Sequence, residues 1–431
     1  MEVKELYAYF EKHQEISTDT RAIKPNSIFF ALKGASFDGN QFAHEALKQG
    51  ASYAVVDDSS VASNDRILLV DDVLKSLQDL ANYHRRKLAI PILAITGTNG
   101  KTTTKELVAA VLSSKFDLCF TQGNLNNHIG VPLTLLRMNK DTEMAVVEMG
   151  ANHQGEIAAL CAIAEPNYGL ITNVGKAHLE GFGSFEGVIK TKSEMYDFLR
   201  THGGKCFVCA DNEILMNKSE DLNRSTYGEG EFAELKGEAE SGLYHLVVKA
   251  LFPKGWLYVR TKLIGAYNFE NVMAAIAIGL EFQLDPLQIQ QSIESYLPSN
   301  NRSQLEERGS NKIILDAYNA NPTSMQGAIR NLEKIKHSNK IAILGDMLEL
   351  GEYSETEHQR VVDMLEESDF NDVFLVGNNF FTTTHSSRLK SFKTAMDLNV
   401  YLAENVKFNE ALILVKGSRG IKLETVLTAI N

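Results

Sequence analysis

The chain has 431 residues, 44% of them hydrophobic, with 43 basic and 55 acidic side chains and a net charge of −12. That length exceeds one ordinary core, so two or three domains are expected, and the acidic balance argues against broad attraction to nucleic acid or an anionic membrane. No apolar run approaches the ~18 residues of a membrane span, so neither a membrane nor a nucleic acid is expected as a partner.

The N-terminal stretch MEVKELYAYFEKHQ is amphipathic and charged and lacks the apolar centre of a secretion signal. Short strands are expected at 28–32, 53–56 and 67–70, with short helices between them. A second block begins at about residue 87. Its apolar runs at 92–95, 145–149 and 169–172 read as parallel strands separated by helical patterns. Residues 230–264 change character, and 244–248 and 256–259 suggest an antiparallel patch. From about 300 a third alternation starts, with strands at 313–315, 341–344, 373–376 and 412–415, each followed by a helical stretch. The expected fold is therefore α/β in three domains: 1–86 small and α/β, 87–299 a mainly parallel sheet, and 300–431 doubly wound and Rossmann-like. Hinges are expected near 85–86 and 298–301.

Four cysteines in a chain this long suit a reducing cytoplasm better than a disulfide framework. Cys206-Phe207-Val208-Cys209 forms a C-x-x-C, but no second pair accompanies it as a closed zinc site needs. It reads as a buried strand.

The chemistry starts at ITGTNGKTTTKELVAAVL, residues 95–112. The standard phosphate-binding loop has four residues between its first glycine and Gly-Lys-[Ser/Thr]. Here only Thr98 and Asn99 separate Gly97 from Gly100, and Ile95 occupies the outer glycine's place. The physical logic survives the shortening. Glycines let the backbone approach phosphate oxygens, and a helix N-terminus opening at Lys101-Thr102-Thr103 favours an anion. Lys101 suits the β/γ charge, and the Thr102 hydroxyl suits Mg²⁺. Glu148 ends a buried apolar strand with a carboxylate, where a further Mg²⁺ ligand is wanted; a solvated strand end is the plainer alternative. His178 emerges just beyond another such strand, although a lone histidine is usually structural.

GTNGKTTT, VVEMGANHQGEI and ITNVGKAHLEGFGSFEGVIKTKSEM together resemble the central ATPase domain of the Mur ligase family, ATP-dependent amide-bond ligases of peptidoglycan precursor synthesis. TQGNLNNHIGVP, DAYNANPTSM, LGDMLELG and KGSR resemble the branch that joins D-alanyl-D-alanine to UDP-N-acetylmuramoyl-tripeptide. Ser17-Thr18-Asp19-Thr20-Arg21 and Ala31-Leu32-Lys33-Gly34 resemble that branch's UDP-binding domain. The likeness runs through nearly the whole chain, in order.

The resemblance implies an acyl-phosphate mechanism, with ATP and two Mg²⁺ as cofactors and a cytoplasmic, monomeric enzyme. It implies catalytic roles for Lys101, Glu148, His178 and Lys192. Thr102 and Glu148 would hold the first metal. His178 would hold the second, together with Lys192 carbamylated by CO₂; an exposed helix cation is the plainer reading of either Lys190 or Lys192. Gly97, Thr98, Asn99, Gly100, Lys101, Thr102 and Thr103 would cradle the phosphates. Asn268 and Asn271 would lie near adenine, with helix capping an equal reading for Asn268. Asp316 would lie near the ribose, and Arg302 would reach the γ-phosphate on domain closure. Thr18, Asp19, Arg21 and Lys33 would serve the UDP moiety. Asn124, Asn127, Asn319, Asn321, Lys416 and Ser418 complete the implied substrate contacts, and Asn319 and Asn321 also fit an Asx turn into a helix.

Two rival classes stand beside this reading. One is another ligase on the same core, a different Mur step or folylpolyglutamate synthetase. The other is a non-synthetic P-loop ATPase or switch; a GTPase would want a guanine-reading Asn-Lys-x-Asp, which the chain lacks.

Overall fold

The computed structural model describes residues 1–252, 254–299 and 301–430. Residue 300, the expected start of the third block, lies outside the described residues. Three α/β layers follow one another along the chain. A small parallel sheet orders Ile16–Ser17, Ile28–Phe30, Tyr53–Val56 and Ile67–Leu69 side by side.

The second sheet has nine strands. Its centre is Ile92–Thr96, buried at every position and flanked by Tyr168–Ile171 on one side and Met144–Glu148 on the other, all parallel. A strand buried on both faces needs a continuous apolar run, which is how these segments read. At the far edge Leu235–Ser241, His245–Phe252 and Gly255–Ile264 pair antiparallel, so the expected patch is an extension of this same sheet.

The third sheet has six strands. Asn311–Asp316, Leu412–Lys416, Lys340–Gly345, Asp372–Val376 and Leu389–Phe392 run parallel in that order, and Gln304–Arg308 pairs antiparallel with the first of them. One expectation is corrected here: Leu412–Lys416 is followed by 3₁₀ turns rather than an α-helix.

The hinge expected at 85–86 is also corrected. Both arginines lie inside the helix Val73–Leu88, which ends at a left-handed Ala89. Arg85 is buried, and its guanidinium donates to the carbonyls of Ala164 at 3.0 Å and Glu165 at 2.8 Å. The cations that mark a linker in the sequence are C-terminal helix charges: Arg85 turns onto the carbonyl end of a neighbouring helix, and Arg86 pairs with the Glu165 carboxylate. One apolar core runs through this contact, from Leu6, Phe30 and Leu77 to Val147, Ile171 and Tyr196. The first and second layers thus share a core. At the other expected hinge, residues 296–299 carry no regular element, and Asn301 and Ser303 take left-handed conformations before the next strand.

The cysteines behave as packing residues. All four are free and buried, and Cys206 and Cys209 join different cores on opposite faces of Lys205–Cys209. Burial pushes both thiols up to about 12, far from thiolate chemistry.

Candidate active site

Three adjacent strands deliver the loop after Ile92–Thr96, the carboxylate ending Met144–Glu148 and the segment after Tyr168–Ile171 to one sheet edge. That is the carboxyl edge, where open α/β sheets bind ligands. A cavity of about 740 Å³ opens there, floored by the second layer and roofed by the third.

The loop demands its glycines. Gly97 and Gly100 have φ of +137° and +80°; a Cβ on Gly97 would lie 2.0 Å from Thr172 Oγ1, and one on Gly100 would lie 2.4 Å from Asn271 Oδ1. The turn is braced from the neighbouring strand, where Thr172 Oγ1 donates to the Asn99 carbonyl at 2.6 Å and Asn173 Oδ1 accepts from the Asn99 N–H at 3.0 Å. The helix Lys101–Leu112 begins at Gly100 with no side-chain cap, so its first N–H groups face the cavity end unsatisfied by any capping side chain. Lys101 folds back to donate to the carbonyls of Gly97 at 2.8 Å and Thr98 at 3.0 Å. Desolvation lowers its ammonium to about 8, opposed by Glu148 and reinforced by Arg302.

Glu148 is almost fully buried. Its Oε1 accepts from Thr102 Oγ1 at 3.1 Å and from Asn126 Nδ2 at 2.8 Å, while Oε2 is buried with no partner. A buried carboxylate oxygen without a donor is costly, and beside a threonine hydroxyl it fits a hard divalent cation. Among the described residues no three His, Cys, Asp or Glu side chains cluster as a metal site. Asn126 is a contact the sequence reading missed, although it sits in the quoted N-x-N-N run.

His178 lines the cavity in a left-handed conformation, its Nδ1 against Glu349 of the third layer. Burial lowers its basicity, Glu349 opposes that, and Lys101 and Lys192 add to it. Lys192 is buried under the ring of Phe182, 5.3 Å from its centroid, and burial beside Lys101 lowers its ammonium to about 7. It stands behind the cavity rather than on its lining. Lys190, two residues earlier, is exposed.

From the third layer, Asp316 and Lys416 are registered partners on adjacent strands, joined at 2.6 Å. Lys416 is buried in that pair, so it fixes Asp316. Arg302 lies 3.7 Å over the Tyr318 ring. Asn319 Oδ1 accepts from the next N–H at 2.9 Å. Asn321 caps the helix Pro322–Lys334 in a reciprocal capping box with Ser324, so the Asx-turn reading holds. The same amide also meets Asn99 of the loop. Capping is corrected for Asn268: it is helical, makes no cap bond, and donates to the Ile264 carbonyl at 2.8 Å while accepting from Asn271 Nδ2 at 2.8 Å.

Thr98, Asn99, Lys101, Thr102, Thr103, Asn124 and Asn127 line the cavity with the residues above, and so do the unpredicted Asn173, Glu270, Tyr318 and Glu349. Gly97 is not on its lining. Ser418 ties strand ends together, accepting from Leu348 N–H at 3.0 Å and donating to the Ala320 carbonyl at 3.3 Å. The structure does not bring Thr18, Asp19, Arg21 or Lys33 to this cavity. Arg21 is exposed and clamped on Asp19 at 2.6 Å, and Lys33 pairs with Asp57 at 2.8 Å. They sit on the first layer, separate from the phosphate loop.

Fold and site define a three-layer P-loop protein with a third α/β layer over its nucleotide loop. The family description "Mur ligase middle domain" matches residues 95–279, "Mur ligase, glutamate ligase domain" matches 301–419, and "Mur ligase family, catalytic domain" matches 12–85. The UDP-N-acetylmuramoyl-tripeptide–D-alanyl-D-alanine ligase of Bacillus subtilis is 35% identical over 428 residues, covering 96% of this chain and 92% of that one. MurF from Acinetobacter baumannii superimposes with a TM-score of 0.86 at 30% identity, covering 96% and 92% of the two chains. MurF ligase from Thermotoga maritima, in complex with ADP, does so with a TM-score of 0.86 at 26% identity, covering 97% of each. The chain belongs to the Mur ligase family.

Proposed function

We infer that this chain is the ATP-dependent, ADP-forming ligase that joins D-alanyl-D-alanine to UDP-N-acetylmuramoyl-tripeptide in peptidoglycan precursor synthesis. The observation that carries the reading is the meeting of loop residues 98–103 with Glu148, Asp316 and Asn321 in one cavity, in a chain that aligns over 96% of its length with a ligase of that activity.

The peptide carboxylate attacks the γ-phosphorus of ATP, forming an acyl phosphate and releasing ADP. The dipeptide amine then attacks the acyl carbon, loses its proton and expels phosphate. Such transfers ask chiefly for positioning and charge neutralisation. The unsatisfied N–H groups opening Lys101–Leu112 receive the phosphates, Lys101 exchanges loop carbonyls for phosphate oxygens, and Arg302 faces them from the third layer. Thr102 and the unpartnered Glu148 oxygen would hold Mg²⁺, which when bound neutralises phosphate charge. Asn268 and Asn271 serve the base, Asp316 the ribose, and Asn319 and Asn321 the dipeptide. Residues 1–86 carry the UDP moiety through Thr18, Asp19, Arg21 and Lys33, where a diphosphate competes with Asp19 for the Arg21 guanidinium.

For a second Mg²⁺, His178 and a carbamate on Lys192 are the groups we assign. The support is physical: only a neutral amine adds CO₂, with loss of a proton, and Lys192 is held at about 7. Converting this buried cation to an anion removes its repulsion from Lys101, against the opposing charges of Glu156 and Glu194. A cytoplasmic location belongs to this reading, as do free thiols. Every group named comes from one chain, so a monomer suffices.

The test is phosphate release from ATP against a panel of UDP-muramoyl peptides and amine acceptors. Turnover should require both UDP-N-acetylmuramoyl-tripeptide and D-alanyl-D-alanine, and mass spectrometry should find the joined pentapeptide. Phosphate release without an amine acceptor would point to a non-synthetic ATPase.

A further inference from the structure

The short segment between Val174 and Glu180 of the second layer is gripped by the third. Lys176 pairs with the buried Glu357 at 3.2 Å. A Cβ on Gly351 would lie 3.2 Å from Glu180 Cβ, and one on Gly175 would lie 3.0 Å from Thr323 Oγ1. Between these contacts His178 and Glu349 meet. Both are non-glycine residues in the left-handed region, at φ +49° and +63°. Two such turns, one from each layer and meeting side chain to side chain, mark a contact that the surrounding structure imposes.

We propose that Glu349 is a positioning residue for His178, carried to it by the third layer, and that it holds the imidazole as the Nδ1–H tautomer with Nε2 free for the cavity. The proposal rests on the ligase reading for what Nε2 then serves. The Glu349 carboxylate lies against Nδ1, and Nδ1 is shut off from solvent, so Nε2 is the nitrogen left for a cation or a proton. A carboxylate accepts and does not donate, so its partner nitrogen must carry the hydrogen. The contact is an ion-pair approach without hydrogen-bond alignment. Rotation about the broad Cβ–Cγ torsion of the ring brings the N–H into line. Carboxylate partners of this kind fix the tautomer and direction of ligating or proton-transferring histidines. Glu349 belongs to the third layer, so the oriented imidazole exists only while that layer is closed over the loop.

The experiment uses the full chain labelled with ¹⁵N-histidine, without ligands, together with steady-state kinetics. The His178 signal, identified by its loss in His178→Ala, should report the Nδ1–H tautomer in the wild type and the Nε2–H form in Glu349→Ala. In turnover, Glu349→Ala should lower kcat about 10- to 100-fold with KM for ATP within about threefold, and Glu349→Gln, which still accepts a hydrogen bond, should recover most of that loss. Glu349→Ala added to His178→Ala should cost little more, because its effect passes through the imidazole. An Nε2–H signal in the wild type overturns the proposal, as does a Gln variant as poor as Ala or a multiplicative double mutant. An Nδ1–H signal in a wild type that makes no pentapeptide would sink the ligase reading and leave the positioning role standing.

Discussion

Asn99 of the nucleotide loop and Asn321 at the head of a third-layer helix meet amide to amide: Asn321 Nδ2 donates to Asn99 Oδ1 at 2.7 Å, and Asn99 Nδ2 faces Asn321 Oδ1 at 3.4 Å. The same Asn321 Oδ1 caps its own helix by accepting from Ser324 N–H at 2.9 Å. One side chain thus serves the helix with its oxygen and the neighbouring layer with its nitrogen. Asn321→Asp separates the two roles, since aspartate caps well but offers no N–H to Asn99. It should keep the melting temperature nearly unchanged and lower kcat, whereas Asn321→Ala should lose both, at about 1 kcal/mol for the cap. Equal turnover in the two variants and the wild type would mean that the contact is incidental.

Lys101→Ala should abolish ligation while leaving the fold intact. The ammonium is desolvated and rests on two loop carbonyls, so its removal deletes an uncomfortable charge along with two bonds. Thermal unfolding should shift by no more than ~2 °C, and titration calorimetry with ATP should show binding weakened by an order of magnitude or more. Retention of a tenth of wild-type turnover at saturating ATP would refute the phosphate role.

Glu148→Gln trades activity for stability. The glutamine oxygen can still accept from Thr102 and Asn126, and the buried unpartnered charge disappears. The ligand-free variant should melt at or above the wild-type temperature, yet gain less than the wild type when Mg²⁺ and ATP are added, and its turnover should be nearly lost. A variant that melts several degrees lower would show that the second oxygen has a partner in solution.

Lys192→Met should stabilise the unmodified protein. The folded chain holds this ammonium at about 7 against an ordinary value of 10.5, so between those values the unfolded state binds the extra proton and wild-type stability rises with pH. The penalty is fully present below pH 7 and gone near 10.5, and the methionine variant lacks that slope. At pH 7 and below, without bicarbonate, it should melt higher by ~2 °C or more while losing nearly all activity, and Lys190→Met should do neither. Wild-type activity at fixed pH should rise with added bicarbonate if the carbamate forms.

Cutting the chain after Arg86 should yield an insoluble remainder. The cut falls inside Val73–Leu88 and strips that helix from Val147, Ile171 and their neighbours in the shared core. A new start between the first and second layers would expose contiguous apolar surface. A soluble fragment that binds ATP with wild-type affinity would show that the second layer closes its core alone.

Local features of the chain were legible without coordinates. The run Ile92 to Ile95, the glycines at 97 and 100, and the helix beginning at Lys101 announce strand, turn and anion site because each depends on a few neighbouring residues and their backbone freedom. Glu148 and His178 were found the same way, as polar groups ending apolar strands. What needed the tertiary structure is whatever depends on which surfaces meet. Lys190 and Lys192 look alike in sequence, but two residues turn a helix by just over half a revolution, and only packing shows that Lys192 faces Phe182 while Lys190 faces water. Arg85 and Arg86 look like a linker until a neighbouring helix end lies against them. Asn126 on Glu148, Asn321 on Asn99 and Glu349 on His178 join residues from separate strands and separate layers. Their spacing in the chain carries no trace of these contacts, because distance along a sequence sets the entropy of closing a loop and not the partner found when it closes.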